Sequence, residues 1–344
     1  MIVYKFRSGK GLKDDKGNDL FNRDIELLSH DTIYIPTVEQ LNDPAEALFD
    51  DSMLQAEIGL IKPFVPEDSV NRVNDAVRSL YDKVRYSGIY ALTKNPTNEL
   101  MWAYYASGHC GYAIIFETDV LVKSFDKGNW GGLYEIDVKY SSTLPRFDIN
   151  KVFTNGVVEA LTCLVGTKSK AWEHEAEHRL IFEKGRQCLK IDYRAIKGFV
   201  FGCRMDDNSI DRIMKVFSGR NLKYYQTALK GNSYQLQMKQ LTDRYPTAEK
   251  YCPNNVKYDI DGLLEEDKFI GGVGCKYRAF VESALKEVAR EPFVTEIYQM
   301  IVSDDNKYPH ILIWTYVNQD GSIRPVKSFE FDYIDGDVMP SKTE

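Results

Sequence analysis

The chain has 344 residues, 43% of them hydrophobic and 28% charged, enough apolar material to bury a core in one large domain or two modest ones. No apolar run reaches the roughly 18–20 residues of a membrane span, and the opening MIVYKFRSGKGLKDDKG lacks the basic-then-apolar layout of a secretory signal, so a cytoplasmic protein with no membrane partner is expected. A formal net charge of −7, from 44 basic and 51 acidic residues, excludes a surface built as a whole to coat nucleic acid and leaves room only for a local basic groove.

In chain order, residues 2–7 (IVYKFR) and 32–36 (TIYIP) read as short strands, with FNRDIELL between them as a short helix. Val70, Val73, Val77, Leu80 and Val84 recur at three- and four-residue steps behind Pro66, Asp68 and Ser69, which predicts a helix over 69–85. Strands follow at 89–93, 112–117 and 132–140, then a helix over 149–165. EHRLIFE (177–183) and GFVFG (198–202) are strand-like, 209–218 reads as a capped helix, and NLKYYQTAL (221–229) returns to strand composition. Beyond about 231 the texture changes: a polar stretch over 242–272 contains the acidic DGLLEEDK, followed by a helical segment over 278–301 and strands at 310–317 and 328–333. This irregular alternation predicts an α+β fold, with residues 1–235 as the catalytic domain and 236–344 as a C-terminal extension or subdomain.

His174-Glu175-Ala176-Glu177-His178 is a formal H-E-x-x-H match, but zinc chemistry there needs a helix and a third ligand. Strand alternation instead puts Glu175, Glu177, Arg179 and Ile181 on one face and Ala176, His178, Leu180 and Phe182 on the other, so no metal is expected. On a strand the two carboxylates lie about 6–7 Å apart, a spacing suited to acid–base work or to stabilising a cationic sugar centre, and equally to a solvated charge ladder. Asn42-Asp43-Pro44 with Glu46 predicts a rigid turn. The aromatics of Asn98–Tyr105 fall at helical spacing and by default belong to a core. Arg7 alone on the opening strand reads as a surface charge. Gly271-Gly272-Val273-Gly274 is followed by no G-K-[ST], no G-x-S-x-G elbow occurs, His109-Cys110 has no metal-like partner, and the six cysteines show no C-x-x-C spacing.

Taken in order, four of these motifs resemble a bacterial family of unknown function. They are Tyr4-Lys5-Phe6-Arg7, Asn42-Asp43-Pro44-Ala45-Glu46, Met101-Trp102-Ala103-Tyr104-Tyr105, and Trp172 with Glu175, Glu177 and Arg179, followed by Gly202 at the end of a strand. The resemblance covers roughly residues 1–235; it departs at Tyr104, where the family often has histidine, and it fixes neither His174 nor His178. A second resemblance, of layout, is to ADP-ribosyltransferases, small α+β proteins with an Arg or His on the first strand, a Ser, Thr or Tyr on the second and a Glu, often E-x-E, on a later one. Arg7, Tyr34 (or Thr37) and Glu177 occupy comparable places here.

That resemblance implies an ADP-ribosyltransferase-like mixed sheet with flanking helices and NAD as substrate. Glu177 and Glu175 would be catalytic, one stabilising the oxocarbenium-like ribose and the other orienting or deprotonating the acceptor. Arg7 would hold the pyrophosphate, Tyr34 or Trp102 would stack on nicotinamide, and Tyr4, Asn42, Asp43, Tyr105 and Arg179 would complete the binding site. The acceptor would be RNA, DNA or protein, as for a bacterial toxin or phage-defence effector with a neutralising antitoxin partner, and Lys168, Lys170 and Lys184 could guide a nucleic acid locally. Two other readings stand beside it: a metal-dependent hydrolase or nuclease with Asp43, Glu46, Glu175 and Glu177 as hard ligands, and a non-catalytic binding module in which Asn42, Trp102 and Arg179 hold the fold.

Overall fold

A computed structural model describes residues 1–14, 16–125, 133–146, 162–253, 255–318 and 326–341. Most of the helix expected over 149–165, and the first residue of the strand expected over 132–140, lie outside the described residues. The chain forms two units, the first ending at Pro246 and the second running from Thr247.

The first unit carries β1 (Ile2–Arg7), α1 (Leu20–Ser29), β2 (Thr32–Ile35), α2 (Ser52–Ile61), α3 (Glu67–Tyr86), β3 (Gly88–Thr93), α4 (Glu99–Tyr105), β4 (Tyr112–Glu117) and α5 (Thr118–Lys123). After these come β5 (Leu133–Asp137), β6 (Lys139–Ser141), β7 (Thr167–Ser169), β8 (Glu177–Phe182), β9 (Gln187–Lys190), β10 (Ile196–Phe201), a helix over Asp207–Val216, β11 (Lys223–Leu229) and β12 (Leu236–Leu241). Eight strands make one mixed sheet in the order β12-β11-β10-β4-β1-β3-β8-β5. All neighbours are antiparallel except β10 and β11. Two short pairs stand apart, β2 with β9 and β6 with β7.

Both faces of this sheet are covered, which explains why β3 and β4 are buried and largely apolar on both faces rather than alternating. One face packs Val3, Leu92, Ile114, Phe116, Leu180 and Phe199 against Phe21, Ile25 and Leu28 of α1 and against Ile210, Ile213 and Met214 of the helix Asp207–Val216. Asp19 caps α1 by accepting from the Asn22 amide. The other face packs Phe6, Ala113, Ile115 and Val200 against Met101 and Trp102 of α4, and Ile89 and Ile181 against Val70, Val77 and Val84 of α3.

α4 begins at Asn98, whose side chain accepts from the amides of Leu100 and Met101 and donates to the His174 carbonyl. Trp102 is fully buried, edge-on to Phe6 with centroids 4.8 Å apart, its Nε1 donating to the Pro96 carbonyl at 2.8 Å. It is therefore a core residue, and truncating it to alanine would cost about 3–5 kcal/mol. Gly202, just past β10, has to be glycine because a Cβ there would lie 2.1 Å from the His109 carbonyl oxygen.

The second unit is an antiparallel meander, β13 (Val294–Ser303), β14 (His310–Val317), β15 (Val326–Ile334) and β16 (Asp337–Pro340), packed with helices Ile260–Phe269 and Arg278–Ala289. One expected element needs correction here, and one segment with no element assigned from sequence gains one. The helix expected to run to 301 stops at Ala289, because Val294–Ser303 is rich in β-branched and aromatic residues that pair along β14. The acidic DGLLEEDK is helical: Leu263 and Leu264 reach the core, and fully buried Asp267 accepts from the amides of Gly274 and Val302 at 2.7 Å each. β12 pairs along its whole length with β11, within the first unit, which runs to Pro246.

Candidate active site

β8 begins at Glu177, and the residues before it do not continue the strand. Lys170–Glu175 is a 3-10 turn closed by Ala176 in the left-handed region, φ 43°. The alternation expected over 175–182 thus breaks at its first step, and Glu175 reaches the cluster from the turn. Its carboxylate and that of Glu177 nevertheless converge on Lys168 of β7, whose Nζ lies 2.5 Å from Glu175 Oε2 and 3.3 Å from Glu177 Oε2.

Arg179, two residues along β8 and fully buried, closes the other side. Its Nε and Nη2 donate to the two oxygens of Glu177, both at 2.9 Å, and its Nη1 donates to Glu46 Oε1 at 2.6 Å and to the Val165 carbonyl. This is the fork geometry a guanidinium offers a carboxylate. Tyr105, on α4, donates its hydroxyl to Glu175 Oε1 at 2.5 Å. Tyr140, opposite Lys168 in the β6–β7 pair, accepts from the Glu177 amide at 2.8 Å, and Thr93 donates to the Glu175 carbonyl at 2.5 Å.

Three carboxylates thus face two cations, all less than a tenth exposed. Burial alone would raise the Glu177 carboxyl; Arg179 and Lys168 outweigh it and hold Glu177 below the usual range. Glu46 goes the other way: burial outweighs Arg179 and pushes it up, and its Oε2 is buried with no hydrogen-bond partner. Lys168 is held above its ordinary value, Glu177 and Glu175 overcoming its burial. Burial, reinforced by Glu175, raises the Tyr105 phenol.

At the edge of the cluster three aromatic rings touch in sequence. Trp172 and His174 have centroids 6.0 Å apart, His174 and Tyr104 6.3 Å, and Lys168 Nζ sits 5.0 Å from the Trp172 ring centroid. Tyr104 is 62% exposed.

Of the residues singled out in the sequence, Glu175, Glu177, Arg179 and Tyr105 meet here, and Asn42 lies within reach of the Tyr105 hydroxyl. Tyr4 shares the face of Phe6, opposite Thr93, which is itself opposite Glu177, so Tyr4, Thr93 and Glu177 form a row across three neighbouring strands. Asp43 instead closes its own turn by accepting from the Ala45 amide at 2.9 Å.

Three residues fall elsewhere. Trp102 is enclosed in the core. Tyr34 lies in the separate β2–β9 pair and donates to Gln40 Oε1 at 3.0 Å. Arg7 points to the opposite face of the sheet, where it pairs with Asp24 of α1 at 3.5 Å. The reason is strand alternation: with Tyr4 and Phe6 on the cluster side, Lys5 and Arg7 must project the other way.

Lys168, read from sequence as a surface charge for nucleic acid, is consumed by the two glutamates; nothing in T-K-S marks it as buried. Tyr140 carried no signal. The H-E-x-x-H histidines do not share a centre: His178 projects from the opposite face of β8 and contacts Asp137 and Glu135 through Nδ1 and Nε2 at 2.7 and 2.9 Å, while His174 Nδ1 contacts the Ala171 carbonyl at 3.1 Å. Among the described residues no group of three His, Cys, Asp or Glu side chains is placed to hold a metal ion.

The family described as Protein of unknown function (DUF2971) matches residues 101–180, a span that runs from α4 into β8 and includes Tyr105, Lys168, Trp172, Glu175, Glu177 and Arg179. No curated protein and no solved structure matches the chain. Among the described residues no helix is long and apolar enough to cross a membrane.

Proposed function

We propose that this cluster is the active site of a metal-free glycosyl-transfer enzyme that cleaves NAD and passes ADP-ribose to a macromolecule. The observation that carries the reading is the surplus carboxylate. Three buried glutamates answer to two cations, so the cluster either keeps a proton on Glu46 or receives positive charge from a ligand. The ribosyl centre supplies such charge transiently: its bond to nicotinamide breaks, the electron pair leaves with neutral nicotinamide, and the sugar becomes oxocarbenium-like until the acceptor attacks.

Glu177, locked by Arg179 and Lys168, serves as fixed negative charge beneath that centre. Glu175, held by Lys168 and by half-buried Tyr105 rather than by Arg179, is the carboxylate that takes the acceptor's proton. The stacking role expected of Trp102 or Tyr34 passes to Tyr104, His174 and Trp172. The effector role, the RNA, DNA or protein acceptor and the neutralising partner remain part of this reading through the family resemblance.

A metal-dependent hydrolase is disfavoured by the donors themselves, since a divalent ion would have to displace Arg179 and Lys168 from Glu46, Glu175 and Glu177. Incubation of the protein with labelled NAD and a cell lysate tests the choice. Label moving onto protein or nucleic acid, lost in Glu175→Gln and indifferent to EDTA, is the expected result; EDTA-sensitive breakdown of nucleic acid without transfer would replace this reading with the hydrolase.

A further inference from the structure

On the face of the sheet that packs against α1, a second buried polar cluster is built from three adjacent strands. Arg7 on β1 pairs directly with Tyr112 on β4, and the register that sets Tyr4 opposite Thr93 brings Tyr90 of β3 opposite Arg7 on its other side. Tyr112, Arg7 and Tyr90 therefore form one cross-strand row. Both tyrosines are fully buried.

The Tyr112 hydroxyl is buried and makes no hydrogen bond, and the Tyr90 hydroxyl, likewise buried, has only the Arg7 guanidinium beside it. Such groups are rare in native structures, because each forfeits its hydration without replacement. Lys5 projects from the same face, its Nζ donating to the Ala91 carbonyl at 2.7 Å and lying 4.9 Å from the Tyr90 ring centroid. The facing acid is Asp24 of α1, which Arg7 shares with Arg23 at 3.5 and 3.3 Å. Arg23 is shared with Asp14, so within the row Arg7 and Lys5 answer to Asp24, with Glu175 and Glu177 acting on Lys5 only from beyond the sheet. Arg7 keeps 22% of its side chain exposed while Tyr90 and Tyr112 are fully buried, so solvent meets this row along the Arg7 side chain.

We propose that this row is a binding site for a phosphate group, free or as a phosphomonoester, separate from the glutamate cluster. The donors match a tetrahedral oxyanion: a guanidinium for two oxygens and two phenol O–H groups, with an ammonium alongside for charge. A carboxylate has too few oxygens to satisfy them. Asp24 sharpens the choice. A monoprotonated phosphate can donate its P–OH to that carboxylate, whereas sulfate, fully ionised, meets it as a bare like charge.

The test titrates the full chain with inorganic phosphate, adenosine monophosphate and sulfate by calorimetry and, for the first two, phosphorus NMR. Saturable binding of phosphate or of the monophosphate, at least ten-fold tighter than sulfate, is expected, and which of the two binds more tightly identifies the source. Tyr112→Phe removes one oxygen, leaves the ring, and should weaken binding about ten-fold with the melting temperature unchanged; Asp24→Asn should narrow the gap to sulfate. No saturable binding by folded protein, or binding indifferent to Tyr112→Phe, would overturn the proposal. Because Tyr112 lies across the sheet from the glutamates, NAD cleavage should be the same in that variant, so the two readings stand or fall separately.

Discussion

The two polar clusters of the first unit sit on opposite faces of one sheet and solve the problem of buried charge in opposite ways. Around Arg179 nearly every donor and acceptor is spent: the guanidinium alone ties Glu177, Glu46 and a backbone carbonyl. Around Arg7 the donors outnumber the acceptors, and the Tyr112 phenol is left with no hydrogen bond. A cluster that is already satisfied is built to hold its shape, with buried Glu175 and its half-buried partner Tyr105 left for chemistry. One that is not satisfied is built to receive something.

The comparison breaks most visibly at Arg179. Arg179→Met leaves Glu177 and Glu46 buried without their cation and should cost about 3–5 kcal/mol in denaturant unfolding; a loss under about 1 kcal/mol would mean the cluster is wetter and looser than its geometry. The two tyrosines sharpen the contrast. Tyr105→Phe deletes a hydrogen bond to a carboxylate and should cost about 1.5–3 kcal/mol, whereas Tyr112→Phe deletes a hydroxyl that makes none and should leave stability level or slightly higher. Equal losses in the two would erase the distinction.

The smallest effect is one of pH. Burial, with Arg7 beside it, lowers the Lys5 ammonium from 10.5 to about 7, against the pull of Glu177, Asp24 and Glu175. Between those values the unfolded chain binds the proton that the folded chain has released, so stability should rise with pH from about 7 towards 10.5. Lys5→Met should flatten that part of the profile, and an unchanged slope would assign it to other groups.

Much of this fold is written locally. The strands at 112–117 and 310–317 appear where runs of β-branched and aromatic residues place them, and the apolar repeat over 69–85 marks α3 to within two residues at either end. What was not legible depends on events between segments. Alternation in Tyr4-Lys5-Phe6-Arg7 says that the basic and aromatic pairs part company; only packing on α4 and α1 decides which pair meets Glu177. Ala176 in the left-handed region is invisible in E-H-E-A-E-H, so the two glutamates share a site for a reason other than strand periodicity. Lys168 could not be told from Lys170 or Lys184, because burial of a lysine is decided by the carboxylates that fold over it.

The central claim is that Glu175 and Glu177 make a cationic ribosyl centre affordable, and release of free nicotinamide from NAD measures this most directly. Wild-type protein should release it steadily with EDTA present, and Glu175→Gln should slow release by at least a hundred-fold at an unchanged melting temperature. Glu177→Gln is the poorer probe, since losing Arg179's partner would also unsettle the fold. Folded wild-type protein that leaves NAD intact in the presence of lysate acceptors, or a Glu175→Gln variant as active as wild type, would contradict the claim.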